Sequence, residues 1–227
     1  MLHLCFPQVE KPDANNGSQQ LDQLPCFYPT LLNLEKLELE ELSESGFIYM
    51  AFSFSQNMSF QYLSHLKVDR CGKLKCMFPM SVWGSLPHLT SLEIIECEEL
   101  QEIMEEPHHQ NESNPNIPIF FPQLVTIKVK GCNKLKRLFR TVSVGMFLPK
   151  LVGIEVSEAA QMEELFSHTS GEVTDDANLQ QVGLPRLFSL NLSRLPALTH
   201  FSKGLNFSAS QLLQVRIKEC PKFDSPF

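Results

Sequence analysis

The chain has 227 residues, 43% of them hydrophobic and 20% charged, with a formal net charge of −7. That composition suits a folded soluble chain and is too apolar for a disordered one; the acidic balance argues against a nucleic-acid partner, which needs clustered Lys and Arg. No apolar run approaches the ~20 residues of a membrane-spanning helix, and Met1–Pro7 lacks the basic start and apolar core of a signal peptide.

Leucine occurs 33 times, an excess that points to an internal repeat. In chain order, Leu2, Cys5 and Phe6 match Leu74, Met77 and Phe78, the return half of a unit whose strand is missing. A polar stretch at 10–20 follows, expected to be a surface loop. The first copy is then Leu34, Leu37, Leu39 and Leu42. The second is Leu63, Leu66, Val68, Cys71, Leu74, Met77 and Phe78, and the third is Leu89, Leu92, Ile94, Cys97, Leu100 and Ile103. A polar insertion at 105–116 precedes the fourth, Leu124, Ile127, Val129, Cys132, Leu135, Leu138 and Phe139. The fifth, Leu151, Ile154, Val156, Ala159, Met162, Leu165 and Phe166, is followed by a second insertion at 168–178. The sixth is Leu187, Leu190, Leu192, Leu195, Leu198 and Phe201; the seventh is Leu212, Val215, Ile217, Cys220 and Phe223. Copies thus start at 34, 63, 89, 124, 151, 187 and 212 of one domain spanning 1–227. Phe227 closes the last without a polar cap, so the array is expected to be cut at both ends.

Positions within a copy are numbered here from its first Leu. Positions 4 and 6 are apolar between polar neighbours, the period of a strand with one buried face. Position 9 is small or apolar because the chain turns inward there. The apolar residues after it recur at a spacing of three, which suits an irregular or short helical return. One unit cannot bury its own apolar face, whereas stacked units share a continuous core. The expected fold is an α/β solenoid, with short parallel strands on a concave face and irregular or short helical segments on the convex side.

Cys71, Cys97, Cys132 and Cys220 all occupy position 9 and read as small buried hydrophobes. No CxxC pair supplies a zinc spacing, and seven cysteines without a framework suit a reducing compartment. His108 and His109 have no partner ligands nearby in sequence. No GxxxxGK[ST], HExxH, GxSxG, GxGxxG or kinase set is present. The expectation is a non-enzyme with no cofactor and no metal.

What remains is a surface. Positions 3, 5, 7 and 8 flank the buried strand residues and should face outward on the concave side. Candidate protein contacts there are Lys36, Glu38 and Glu40, then His65, Lys67, Asp69 and Arg70, then Glu93 and Glu96. Lys128 and Lys130 follow, then Glu155 and Glu158, Asn191 and Arg194, and finally Arg216 and Lys218. Over all four positions the row charges run −2, +1, −2, +2, −2, +1 and +1. Rows of opposite sign can stabilise the sheet by cross-strand pairing, and the same pattern can select a partner by charge complementarity.

The phrases from Phe121-Pro122 to Cys132 and from Leu184-Pro185 to Leu192, with lead-ins at Leu86-Pro87 and Leu148-Pro149, resemble the leucine-rich repeats of plant disease-resistance proteins. The nearest class is the coiled-coil, nucleotide-binding, leucine-rich-repeat immune receptors. The resemblance implies a cytoplasmic module that senses a pathogen effector or a guarded host protein and restrains the receptor's nucleotide-binding switch. The coiled coil and the nucleotide-binding module of that family are not within this sequence. Two other readings stand beside it. An F-box-type substrate-recruiting scaffold also uses Cys-containing repeats, although here Cys97 is followed by Glu98-Glu99-Leu100 and the F-box is missing. An extracellular receptor ectodomain would account for five N-x-S/T sequons, at Asn16, Asn57, Asn111, Asn191 and Asn206, although Asn191 falls in a strand row.

Overall fold

A computed structural model describes residues 2–3, 33–42, 60–78, 86–104, 121–141, 146–168, 181–202, 206–209 and 211–224. The segments at 10–20, 105–116 and 169–178 lie outside the described residues.

Each copy places a five-residue strand at positions 3–7: Lys36–Glu40, His65–Asp69, Ser91–Ile95, Thr126–Lys130, Gly153–Ser157, Ser189–Ser193 and Gln214–Lys218. Inward residues at positions 4 and 6 alternate with outward ones, so a strand with one wet face forms. All neighbouring pairs are parallel and in register, so Leu92 lies beside Ile127 and Ile127 beside Ile154. An eighth, two-residue strand extends this sheet. Leu2 pairs with Leu37 and His3 with Glu38. Leu2 therefore belongs to the concave sheet and not to a return half; two residues carry too short a pattern to tell one from the other. Cys5 and Phe6 lie outside the described residues.

Two tight turns close copies two to seven. The first is the lead-in, Phe/Leu-Pro in copies three to six, where the N–H at position 1 donates to the lead-in carbonyl three residues back, as from Leu124 to Phe121 and from Leu187 to Leu184. Proline just after the lead-in suits this turn because its φ is preset. The second runs from position 9 to position 12, as from Leu135 to Cys132 and from Met162 to Ala159. After it the chain is extended. Short strands at Cys76–Phe78 and Glu102–Met104 pair with each other, and Phe139–Thr141, Glu164–His168 and His200–Ser202 pair in a second ladder. A further ladder joins Met146–Phe147, Gln181–Gly183 and Asn206–Ser208. The convex return is thus extended, and the described residues contain no helix. The apolar spacing of three reflects an i→i+3 turn, a feature that a helix start and a single turn share. His168, expected at the start of a loop, ends a strand.

The core runs unbroken through the stack. Leu63, Leu89, Leu124, Leu151 and Leu187 at position 1 are all 0% exposed. A column of phenylalanine rings passes through it: Phe78, Phe121, Phe139, Phe166 and Phe201, with successive centroids 5.4–6.1 Å apart. Cys71, Cys97 and Cys132 are buried as position 9 requires, and their thiols point to backbone carbonyls such as those of Asp69, Ile95 and Lys130. Contact with the Cys132 sulfur and burial push the Cys97 thiol up to about 12, so it is neutral and packs as an apolar group.

Position 8 has left-handed backbone in every copy. φ is 50–56° at Glu41, Arg70, Glu96, Glu158, Arg194 and Glu219, and 70° at Gly131. Such φ values are uncommon for residues other than glycine. In the first six copies the N–H of position 8 donates to the position-7 carbonyl of the next copy, at 2.7–3.1 Å. The same φ recurs at Glu219, whose copy has no described neighbour beyond it, so the turn itself carries the conformation and stacking makes use of it. Gly131 needs its missing side chain for a second reason, since a Cβ there would lie 3.0 Å from Glu96 Cγ and 3.3 Å from Glu96 Cα. Gly131→Ala is expected to destabilise by about 1–3 kcal/mol, through left-handed strain and this contact. Glu219→Gly, at the same left-handed slot, should change stability by less than about 1 kcal/mol, because glycine adopts that φ freely. Urea melts of the two variants check the contrast.

Candidate functional site

The in-register strands line the outward side chains up in rows across the concave face. Position 5 reads Glu38, Lys67, Glu93, Lys128, Glu155, Asn191 and Arg216, with charge sign alternating through the first five. Neighbouring strands lie ~4.8 Å apart, within reach of a long side chain. Lys128 Nζ meets Glu93 Oε1 at 2.8 Å, and that bond holds Lys128 above its ordinary value of 10.5. Lys128 therefore stays charged through neutral pH.

At the early copies the charges are satisfied internally. Lys67 lies 3.1 Å from Asp69 and 3.5 Å from Glu40; Arg70 lies 3.0 Å from Glu41, 3.1 Å from Asp69 and 3.9 Å from Glu40. Asp69, expected to face a partner, is only 5% exposed because Lys67 and Arg70 close over it. It is a structural carboxylate and drops out of the accessible set. His65 Nδ1 shares a 2.7 Å hydrogen bond with Ser64 Oγ. Lys36 and Glu38 are outward on the first full strand.

The later copies differ. Glu158 forms a close ion pair with Arg194 across the position-8 turns, and Glu96 leans over Gly131. Among the described residues, however, Lys130, Glu155, Arg216 and Lys218 have no ion-pair partner within 4.0 Å. Positions 3–5 of copies three to seven enclose an open hollow of about 770 Å³. Short side chains at position 3 make it deep: Ser91, Thr126, Gly153 and Ser189 follow one another across the sheet. Gly153 has no positive φ, and a Cβ there would meet Ser189 Oγ at 3.2 Å. The backbone there carries no left-handed strain, and the missing side chain leaves room for Ser189 Oγ on the next strand.

Sorting the rows by positions 3, 5, 7 and 8 misses position 2. Its backbone stacks as strictly as the strands do: the position-2 carbonyl of each copy accepts two N–H groups from the next, as Val152 does from Phe188 and Ser189. In copies two and three the residue is Ser64 or Thr90, whose hydroxyl donates to the preceding copy's carbonyl at 3.0 and 2.8 Å. From copy four it is Val125, Val152, Phe188 and Leu213, and the last three are 37%, 38% and 76% exposed. Four successive apolar residues beside a polar row were a readable signal.

Among the described residues no group of three or more His, Cys, Asp or Glu could hold a metal ion, and no helix is long and apolar enough to cross a membrane. The face can bind by shape, charge and apolar contact. A protein-family model for plant disease resistance protein RPS2-like leucine-rich repeats matches residues 8–98 and 99–227. No curated protein and no solved structure matches the chain.

Proposed function

We propose, for a chain that belongs to the RPS2-like leucine-rich-repeat family of plant disease resistance proteins, that its concave face is a protein-recognition surface of an intracellular immune receptor. The partner is a pathogen effector, a guarded host protein or the nucleotide-binding module whose switch the repeats restrain. In this reading the chain is not an enzyme, takes no cofactor and works in the cytoplasm. The observation that carries the reading is the separation of surface from core. Positions 4 and 6 hold the stack together while positions 3, 5 and 7 point away from it. Surface chemistry can therefore change from copy to copy without touching the fold, as a module that must match varied partners requires.

Charge reversal at the centre tests it. Lys128→Glu/Lys130→Glu is expected to weaken partner binding and make it less salt-sensitive. The fold should survive with a loss of about 1 kcal/mol, because only an exposed pair to Glu93 is removed and like charges are brought together. Pull-downs with candidate effectors, host proteins and nucleotide-binding modules of this receptor class, run beside a thermal melt, read both. Full binding by a folded variant would move recognition off this face, to the segments 105–116 and 168–178.

A further inference from the structure

The two halves of the concave face are not equivalent. In copies one and two, position 7 carries Glu40 and Asp69, both tied to Lys67 and Arg70. From copy four onward, position 7 reads Lys130, Ser157, Ser193 and Lys218. No acid stands in that stretch, and neither lysine has an ion-pair partner among the described residues. Three strand spacings of ~4.8 Å separate the lysines by roughly 14 Å, with two short hydroxyl side chains between them. Arg216, also without an ion-pair partner, stands beside Lys218 on the same strand. At the other end of the same strands, five residues or roughly 17 Å along the chain, stands the exposed apolar rim of Val152, Phe188 and Leu213.

We infer that copies four to seven form a docking trough for an acidic polypeptide segment that carries a large apolar side chain. The inference rests on the recognition reading above and names the partner's chemistry. A carboxylate over Ser157 and Ser193 meets two hydroxyl donors and lies between Lys130 and Lys218 in the same row, while Glu158 beside it is already paired to Arg194. Charge-assisted bonds of this kind are about twice as strong as neutral ones. An apolar side chain on the same segment covers Phe188 and its neighbours, which otherwise stay in water. Position 5 limits where the acid can sit, because Glu155 occupies the middle of that row. The acidic side chains are therefore directed to the position-7 row and the apolar one to the position-2 rim, an orientation that fixes how the segment lies. A basic partner would meet Lys130, Arg216 and Lys218, and a purely polar acidic one would leave the rim uncovered.

The test is selection of random short peptides displayed on phage against the full chain. Enrichment of Asp and Glu together with Phe, Leu, Ile or Trp is the expected result. An enriched peptide should lose about tenfold or more in affinity on Lys130→Glu/Lys218→Glu and on Phe188→Ser, tested separately. Lys218 is exposed, Lys130 and Phe188 are partly so, and a thermal melt confirms that each variant is folded. Enrichment of basic or uncharged peptides, no enrichment, or unchanged affinity in the folded variants would overturn the inference. An oligonucleotide that displaces the peptide with equal affinity would also overturn it, in favour of general polyanion binding. The Lys128→Glu/Lys130→Glu pull-down is read in parallel. Partner capture that depends on those lysines, with no acidic–apolar selection, sinks this inference alone and leaves concave-face recognition standing.

Discussion

Phe166→Ala is expected to cost about 3–5 kcal/mol, toward the top of the range for large-to-small core changes. Phe166 is 0% exposed, and its ring sits between two others, 6.1 Å from Phe139 and 5.4 Å from Phe201. Each such ring pair adds about 0.5–1.5 kcal/mol beyond its buried area. The backbone around Phe166 is held on both sides by the ladder to Phe139 and His200, so the site cannot easily collapse into the gap. For a chain of this size the loss corresponds to a fall in Tm of roughly 6–20 °C. Phe166→Leu separates volume from ring contact. It fills much of the space but gives up both ring pairs, so it should cost about 1–3 kcal/mol. Urea unfolding of both variants measures the difference. An unchanged midpoint for Ala would take Phe166 out of the core, and equal losses for Ala and Leu would mean that ring contact, not cavity, sets the cost.

The strands were legible because seven copies repeat the alternation at positions 4 and 6 in phase, and the five-residue strands sit on those positions. The Phe of position 16 was legible in the same way at Phe78, Phe139 and Phe166. Copy three has Met104 in that slot, and there the lead-in Phe121 joins the ring column. The left-handed turns were not legible. Glu and Arg at position 8 carry no signal for positive φ, which recurs even at Glu219 with no described copy beyond it, and only Gly131 hints at it locally. The return path was ambiguous for a different reason, since a spacing of three fits a helix start as well as a turn followed by extended chain. At the candidate site, the signs of the charges were readable and their pairing was not. Asp69 and Glu155 look alike in sequence. One is buried between Lys67 and Arg70; the other faces only Lys128 across the strand, and that lysine is already bonded to Glu93.

Leu92→Ala and Ile127→Ala are each expected to cost about 2–5 kcal/mol. Both side chains are 1% exposed at position 4, on neighbouring strands and directly paired in register. Each therefore loses its transfer free energy and leaves a cavity against the next copy. The double variant should depart from the sum by about 0.5–3 kcal/mol, since the two cavities touch and share lining atoms. The claim that stacking, and not the strand itself, makes these positions costly needs a control with one residue type. Val129 and Val215 provide it: Val129 is 0% exposed, while Val215, at position 4 of the seventh copy, is 46% exposed and lacks a described neighbour on one side. Truncation to Ala removes the same two methyl groups at both sites. Val129→Ala should lose about 2 kcal/mol or more, and Val215→Ala less than about 1 kcal/mol, because its methyls are already half in water. Equal losses would show that a copy is stabilised from within and not by its neighbours. A larger loss at Val129 than at Val215 puts the energy at the interfaces between copies, where a repeat that cannot bury its own face must find it.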